Sequence, residues 1–270
     1  MKKLIHIENI KTFSSNTFRV ILTLHFILYI LVVLAVSRIE LSMGEFSITR
    51  LYHFPNVWEF FSWVASWFNI LLGILVIVLI CNEFRFYTFR QQVMNGLHEK
   101  HLLLGKIYMI LVIAVYALLL VVVTSLVSGS IAGDRQLGLS QFSGIEVIMI
   151  YFLQTLAYMS MAMLFAILFK NHGLAIVLFI LYLFPGEVIL RNLIFQNIQE
   201  YFPAKLISGL APLPSIFRDQ ADALKGMGME FGSPQTEATA LISPQQVVLT
   251  LLYIAVFLTI TYWILRRKNY

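Results

Sequence analysis

Charge is what this sequence has least of. Only 12% of its 270 residues are Asp, Glu, Lys or Arg, where a soluble domain carries about 25%. Hydrophobic residues make up 59%, and the mean hydropathy is +0.83. No water-soluble fold needs such an apolar excess. Cysteine is nearly absent. Cys81 stands alone, so it has no partner for an internal disulfide or for a thiolate metal site. It closes an apolar run and reads as a small buried residue. No G-x-x-x-x-G-K-[ST] stretch occurs, so the chain cannot cradle nucleotide phosphates by that route. There is no H-E-x-x-H, no Asp in any apolar run, and no glycine-flanked serine inside one. The chemistry of an intramembrane protease therefore has no carrier, no metal ligand set is evident, and the chain is expected to be non-catalytic. The net charge of +5 would raise the question of nucleic acid in a soluble protein. Here the basic residues flank apolar segments, so the reading is topological and no nucleic-acid partner is expected.

Long apolar runs are what the sequence has in abundance. A helix crossing the hydrocarbon needs about 20 largely apolar residues. Segments 18–37, 60–81, 107–128, 145–169 and 247–265 meet that test. A sixth begins at Gly173 and meets Pro185, Gly186 and Glu187 before it is long enough. It spans only if it continues through Leu190 with a break at Pro185. The first apolar run, 20–36, exceeds the length of a signal-peptide core and is expected to be a retained signal-anchor helix.

Six spans put both termini on one side. That side carries twelve basic residues against three acids, Glu8, Glu83 and Glu99, while the other carries seven basic residues and eleven acids. Leaving out the long 185–246 loop reduces the second side to three basic residues. The positive-inside rule then predicts cytoplasmic termini.

The remaining segments are not plain connectors. Before the first span, Leu4, Ile5, Ile7, Ile10 and Phe13 recur near helical spacing among charged residues, which predicts an interfacial helix over 1–16. The region 185–246 opens with two semi-apolar stretches, 188–202 and 204–216, punctuated by prolines at 203, 212 and 214. These predict re-entrant half-helices, followed by a mobile surface loop over 222–244. His25, Asn69 and Gln154 lie inside spans, where a polar group is a functional candidate or a hydrogen bond to a neighbouring helix. Glu59, Glu146 and Glu187 fall at the outer ends. Pro185, Gly186 and Glu187 together form a candidate outer gate, since broken helices expose backbone groups in transport proteins.

The loop 82–106 is the most informative. It reads NEFRFYTFRQQVMNGLHEKHLLLGK, with aromatics Phe84, Phe86, Tyr87 and Phe89, charges of both signs, and Gly96 after a short predicted helix. Exposed aromatics on such a helix predict a docking surface, the other reading being a helix that lies on anionic lipid. Glu83, then Thr88 and Arg90, then Gly96, and Lys106 at the mouth of the next span form a pattern that resembles the ABC-type exporter permeases of the second superfamily. The resemblance extends over nearly the whole chain in its architecture. It departs at Tyr87, where a small residue is usual, and at His98, Glu99 and Lys100, where a basic residue commonly follows the glycine.

The resemblance implies an all-α integral membrane protein. It would be a single transmembrane permease domain over 1–270, with an interfacial helix, six spans, a cytoplasmic coupling helix and re-entrant half-helices between spans five and six. It implies a multi-pass protein of the cell membrane, a bacterial inner membrane, working as an exporter subunit. Glu83, Phe84, Phe86, Thr88, Arg90 and Gly96 would be the ATPase-coupling residues. Its partners would be a cytoplasmic ABC ATPase dimer carrying ATP and Mg, a second permease copy or paralogue, and membrane lipids. The chain itself would hold no cofactor. The composition suits a lipidic, glycan-lipid or amphiphilic peptide cargo. The other readings are a six-span channel or ion-coupled transporter, or a membrane scaffold of a larger complex. The scarcity of charge inside the spans weighs against the first of these.

Overall fold

The computed structural model describes residues 2–38, 42–43, 46–132, 142–193, 196–211, 213–215, 217 and 243–267. Helix dominates it. A short α1 (Lys2–Ser14) leads into α2 (Asn16–Ser37). A two-residue antiparallel pairing, Ser42–Met43 with Phe46–Ser47, precedes the 3₁₀ turn Ile48–Tyr52. Then come α3 (Asn56–Arg85), the short α4 (Thr88–Met94), α5 (Glu99–Ile131) and α6 (Glu146–Phe169). The next span is composite: α7 (His172–Leu181), a π-helical turn (Tyr182–Gly186) and α8 (Glu187–Asn192). A short α9 (Pro203–Ser208) and the last span α10 (Pro244–Arg267) complete the chain.

Six of these helices are long and apolar enough to cross a membrane: α2, α3, α5, α6, the composite His172–Asn192 and α10. Each coincides with a segment predicted from the sequence, and the chain is a multi-pass membrane protein. The outward surface agrees. Leu24, Leu31 and Leu34 on α2, and Leu119 and Val123 on α5, are exposed, which hydrocarbon tolerates and water would not.

Helices α3 and α6 form the centre, and α2, the composite span and α10 lie at the periphery. Ala157, Ser160, Ala162 and Ala166 are all buried on α6. Small side chains let helix backbones approach closely where lipid offers no hydrophobic drive to association. Gly73 on α3 makes room for a ring: a Cβ there would stand 2.9 Å from the side chain of Phe179.

Several polar groups inside the bundle are paired across helices, where hydrocarbon supplies no water to satisfy them. Asn69 Nδ2 donates to Gln154 Oε1 at 3.3 Å, and Thr155 Oγ1 donates to Asn69 Oδ1 at 2.9 Å. Tyr29 and Thr124 share a 2.8 Å hydrogen bond between α2 and α5. His25 Nδ1 lies 3.5 Å from the Tyr116 hydroxyl across the same pair. In the α2–α3 connection, the Tyr52 hydroxyl donates to the Val33 carbonyl at 2.9 Å. Burial pushes this phenol up to about 12, so it remains a donor at neutral pH.

Pro185 does not rupture its span. Proline has no N–H to return to the carbonyl four residues back. The chain widens by one residue instead: the Glu187 N–H reaches the Tyr182 carbonyl, five residues earlier. Such bulges keep a helix continuous while shifting its phase. The Leu181 carbonyl then sits 2.7 Å from where a Cβ on residue 186 would stand, which is why Gly186 occupies the position.

The stretch predicted as one half-helix over 188–202 is divided. Its first part prolongs the fifth span as α8, and Gln196–Tyr201 forms a separate 3₁₀ turn. The second half-helix is shorter than the predicted 204–216, since α9 starts with Pro203 at its first turn and stops before Gly209. Of the predicted surface loop over 222–244, residues 222–242 lie outside the described residues.

Candidate functional site

Helices α3 and α5 have 30 and 33 residues. At 1.5 Å per residue they are about 45–50 Å long, and the hydrocarbon is only about 30 Å thick. Part of the surplus, residues 82–85 of α3 and 99–106 of α5, lies at what we term the basal end of the bundle, where the C-terminus of α3, the N-terminus of α5, α1 and α4 meet. Residues 82–106 build the site there.

Two turns of opposite origin set the pose of α4. The chain leaves α3 through Tyr87, whose backbone is left-handed at φ 57°. Glycine bears that conformation at no steric cost, whereas tyrosine carries a Cβ into it. Thr88 Oγ1 reaches back to the Glu83 carbonyl at 3.1 Å and ties the start of α4 to the last turn of α3. At the other end, the Gly96 N–H donates to the Val93 carbonyl and the Leu97 N–H to the Gln92 carbonyl, with Gly96 at φ 85°. This is a Schellman ending, which needs a residue that tolerates positive φ. A Cβ at Gly96 would meet no neighbour within 4 Å, so conformation alone explains the glycine.

Beneath α4 lies a charge-neutral cluster of two lysines and two glutamates. Lys106 is fully buried. Its Nζ donates to Glu8 Oε2 at 2.8 Å and to Glu83 Oε1 at 2.5 Å. Lys11 Nζ adds a 3.5 Å contact to Glu83 Oε1 and lies 3.9 Å from Glu8 Oε1. Four charged side chains from α1, α3 and α5 thus neutralise one another, with Glu8 and Lys106 buried and Glu83 and Lys11 part-exposed. Gly105 admits them: a Cβ there would stand 3.0–3.2 Å from the Glu8 side chain.

A second set of contacts runs through rings. Phe89, the one buried residue of α4, stacks on Phe84 with centroids 4.6 Å apart. Lys106 Nζ lies 5.6 Å from the Phe89 ring centre, and Lys170 Nζ lies 4.9 Å from that of Phe84. Cation–ring contacts of this kind contribute about 0.5–2 kcal/mol each. They join α5, α4, α3 and the α6–α7 turn into one body.

The opposite face of this assembly is open. Phe86, Tyr87 and Met94 are 63%, 67% and 76% exposed, and Arg90 and Gln91 are exposed beside them. A recess of about 350 Å³ opens between α4 and the α6–α7 turn, with Arg85, Arg90 and Lys170 on its wall. Among the described residues the only acid there is Glu83, already engaged by two lysines. The recess is therefore positive.

Of the predicted coupling residues, Glu83, Phe84 and Thr88 hold α4 in place, Gly96 ends it, and Phe86 and Arg90 face outward. Sequence reasoning did not find the roles of Glu8, Lys11 and Lys170. Glu8 is an acid on the short first helix, and its partner lies 98 residues away. The adjoining Gly105 was the only trace of the close approach.

The predicted gate residues lie at the far, distal end. Glu187 is 3% exposed, and its two carboxylate oxygens accept the Ala204 N–H at 2.7 Å and the Lys205 N–H at 2.6 Å. It caps the N-terminus of α9, where a negative charge is favoured by the aligned peptide dipoles. Gln154 Nε2 donates to the Ile207 carbonyl at 3.0 Å, near the other end of α9. Glu59 Oε2 accepts the Ser215 N–H at 2.9 Å. Three side chains that the sequence could only mark as polar thus tether one irregular segment to α3, α6 and α8.

Among the described residues there is no group of three or more His, Cys, Asp or Glu able to hold a metal ion. No protein-family model matches this chain, and neither a curated protein nor a solved structure matches it.

Proposed function

We propose that the chain is the membrane-spanning permease subunit of an ATP-driven ABC transporter, an exporter whose ATPase is a separate protein. The observation that carries this reading is α4: a seven-residue helix held to the ends of α3 and α5 by the Thr88 bond to the Glu83 carbonyl, the Phe84–Phe89 stack and the Lys106 contact with the Phe89 ring, with its aromatic and basic face open. A short rigid helix so joined to the spans transmits an applied displacement to them instead of absorbing it.

In this reading the basal end is cytoplasmic, which the excess of basic residues around it supports. A dimer of ABC ATPases, holding ATP and Mg, docks on Phe86, Arg90 and the positive recess beside them. Nucleotide-driven closure moves α4, and Glu83, Phe84, Thr88 and Gly96 pass that movement to α3 and α5. Helix α1 lies in the membrane interface. Helix α9 is a re-entrant segment, and Pro185, Gly186 and Glu187 form the hinge of an outer gate. A second copy or a paralogue completes the pathway in the bacterial inner membrane.

A pull-down of the tagged chain in mild detergent tests this. A P-loop ATPase is expected in the eluate, and Arg90→Glu is expected to lower its amount about tenfold, the equivalent of about 1.4 kcal/mol. If no such ATPase is recovered and Glu83 or Arg90 substitutions leave function intact, the permease reading fails.

A further inference from the structure

A cavity of about 370 Å³ lies at the distal end, between α3, α6, the composite fifth span and α9. Its wall divides by chemistry. Trp63, Trp67 and Phe184 give it an aromatic side, and Trp67 and Phe184 are more than half exposed at the outer surface of the bundle. Arg191 and Lys205 give it a cationic side. Among the described residues Glu187 is the only acid on the wall, and both of its oxygens are occupied by the Ala204 and Lys205 backbone. Neither Arg191 nor Lys205 has an ion-pair partner among the described residues, and Arg191 Nε is buried without a hydrogen bond. An unpaired buried donor on a cation is costly, and an anion brought to it is correspondingly favoured.

Depth agrees with chemistry. Arg191 is nineteen residues beyond His172, the basal start of its span. At 1.5 Å per residue that is about 28 Å, close to one hydrocarbon thickness. The two cations therefore stand at the level of the far headgroups, and the exposed rings lie beside the acyl region.

We infer that this cavity binds one anionic amphiphile, with its charged headgroup on Arg191 and Lys205 and its chain leaving past Trp67 and Phe184. The site lies at the end of the bundle opposite α4 and does not depend on the permease reading.

The test reconstitutes the full-length chain in nanodiscs of equal parts phosphatidylglycerol and phosphatidylcholine. The protein is then released into detergent, and retained lipid is counted by native mass spectrometry. The wild type is expected to keep phosphatidylglycerol over phosphatidylcholine by about tenfold, the scale of one charge-assisted contact. Arg191→Gln with Lys205→Gln should abolish that preference, and Lys205→Arg should keep it. Ala211→Phe fills the cavity without touching a charge and should lower lipid retention of both kinds, which guards against a misfolded double variant. Absence of a preference in the wild type, or its survival in the double variant with an unchanged melting transition, overturns the inference. So does a rise in melting temperature with millimolar inorganic phosphate equal to that with phosphatidylglycerol, since a soluble anion would then suffice.

Discussion

Lys106 brings a positive charge to a place without water, and the two glutamates beside it make that possible. Removing one member of such a buried set leaves the others uncompensated, at a cost of about 3–5 kcal/mol. Lys106→Met is accordingly expected to lower stability by that order in thermal or chemical unfolding of the purified chain. The triple change Glu8→Gln, Lys106→Met, Glu83→Gln should recover much of the loss, because the one charge then left without a partner in the cluster, on Lys11, is part-exposed and reaches water. Tyr87 has a different constraint. A left-handed backbone disfavours side chains with a Cβ by about 1–2 kcal/mol. Tyr87→Gly is therefore expected to be neutral or stabilising by up to about 1 kcal/mol, and the β-branched Tyr87→Val to be destabilising. Melting temperatures of the two variants decide it. Only one of these two features was legible beforehand. A polar loop bounded by Glu83 and Lys106 stood out, but nothing in the chain's order told that Glu8 would reach them.

At the scale of elements, the fifth span shows how one residue pair alters a whole segment. Proline removes a backbone donor, the π turn accommodates the loss, and the added residue rotates the helix beyond it. Glu187 is thereby turned toward α9, whose first N–H groups it accepts. Gly186→Ala is expected to force the Leu181 carbonyl aside and to cost about 1–3 kcal/mol, the range for strain at a crowded backbone. Glu187→Gln should cost a similar amount, since hydrogen bonds to a charged group contribute about 1.5–3 kcal/mol. If the two sites act as one unit, the double variant will lose less than the sum of the single losses. A double-mutant cycle on unfolding measures this coupling. The sequence marked Pro185, Gly186 and Glu187 as an irregularity. It did not reveal that the helix stays continuous, because a π turn depends on which carbonyl the next free N–H can reach.

For the molecule as a whole, the informative contrast is between its two ends. The basal end is bound together by buried charges and stacked rings, and the distal end by carboxylate and amide groups around a short helix. Their sidedness can be tested directly, since the native Cys81 is buried and contributes no labelling background. With the basal end cytoplasmic, as proposed, a cysteine introduced at Met94 should react with an impermeant thiol reagent only after the cytoplasmic face is opened. One introduced at Tyr201 should react in intact cells. The reverse result would invert the orientation and with it the docking face of α4.

What the sequence determined by itself is the solvent and the number of crossings. Apolar composition and run length are local properties, and each run became one helix because lipid leaves a backbone no other way to satisfy its own hydrogen bonds. The Gly96 ending of α4 was legible for the same reason, as a turn is chosen by its own residues. Only the tertiary structure decided the pairings: Glu8 with Lys106, Gln154 with Asn69 and α9, Glu187 with the backbone of Ala204 and Lys205. Each joins residues far apart in the chain, and in a bundle of nearly uniform apolar helices such contacts depend on helix phase and depth. A residue's type shows that it needs a partner, whereas packing selects which partner it meets.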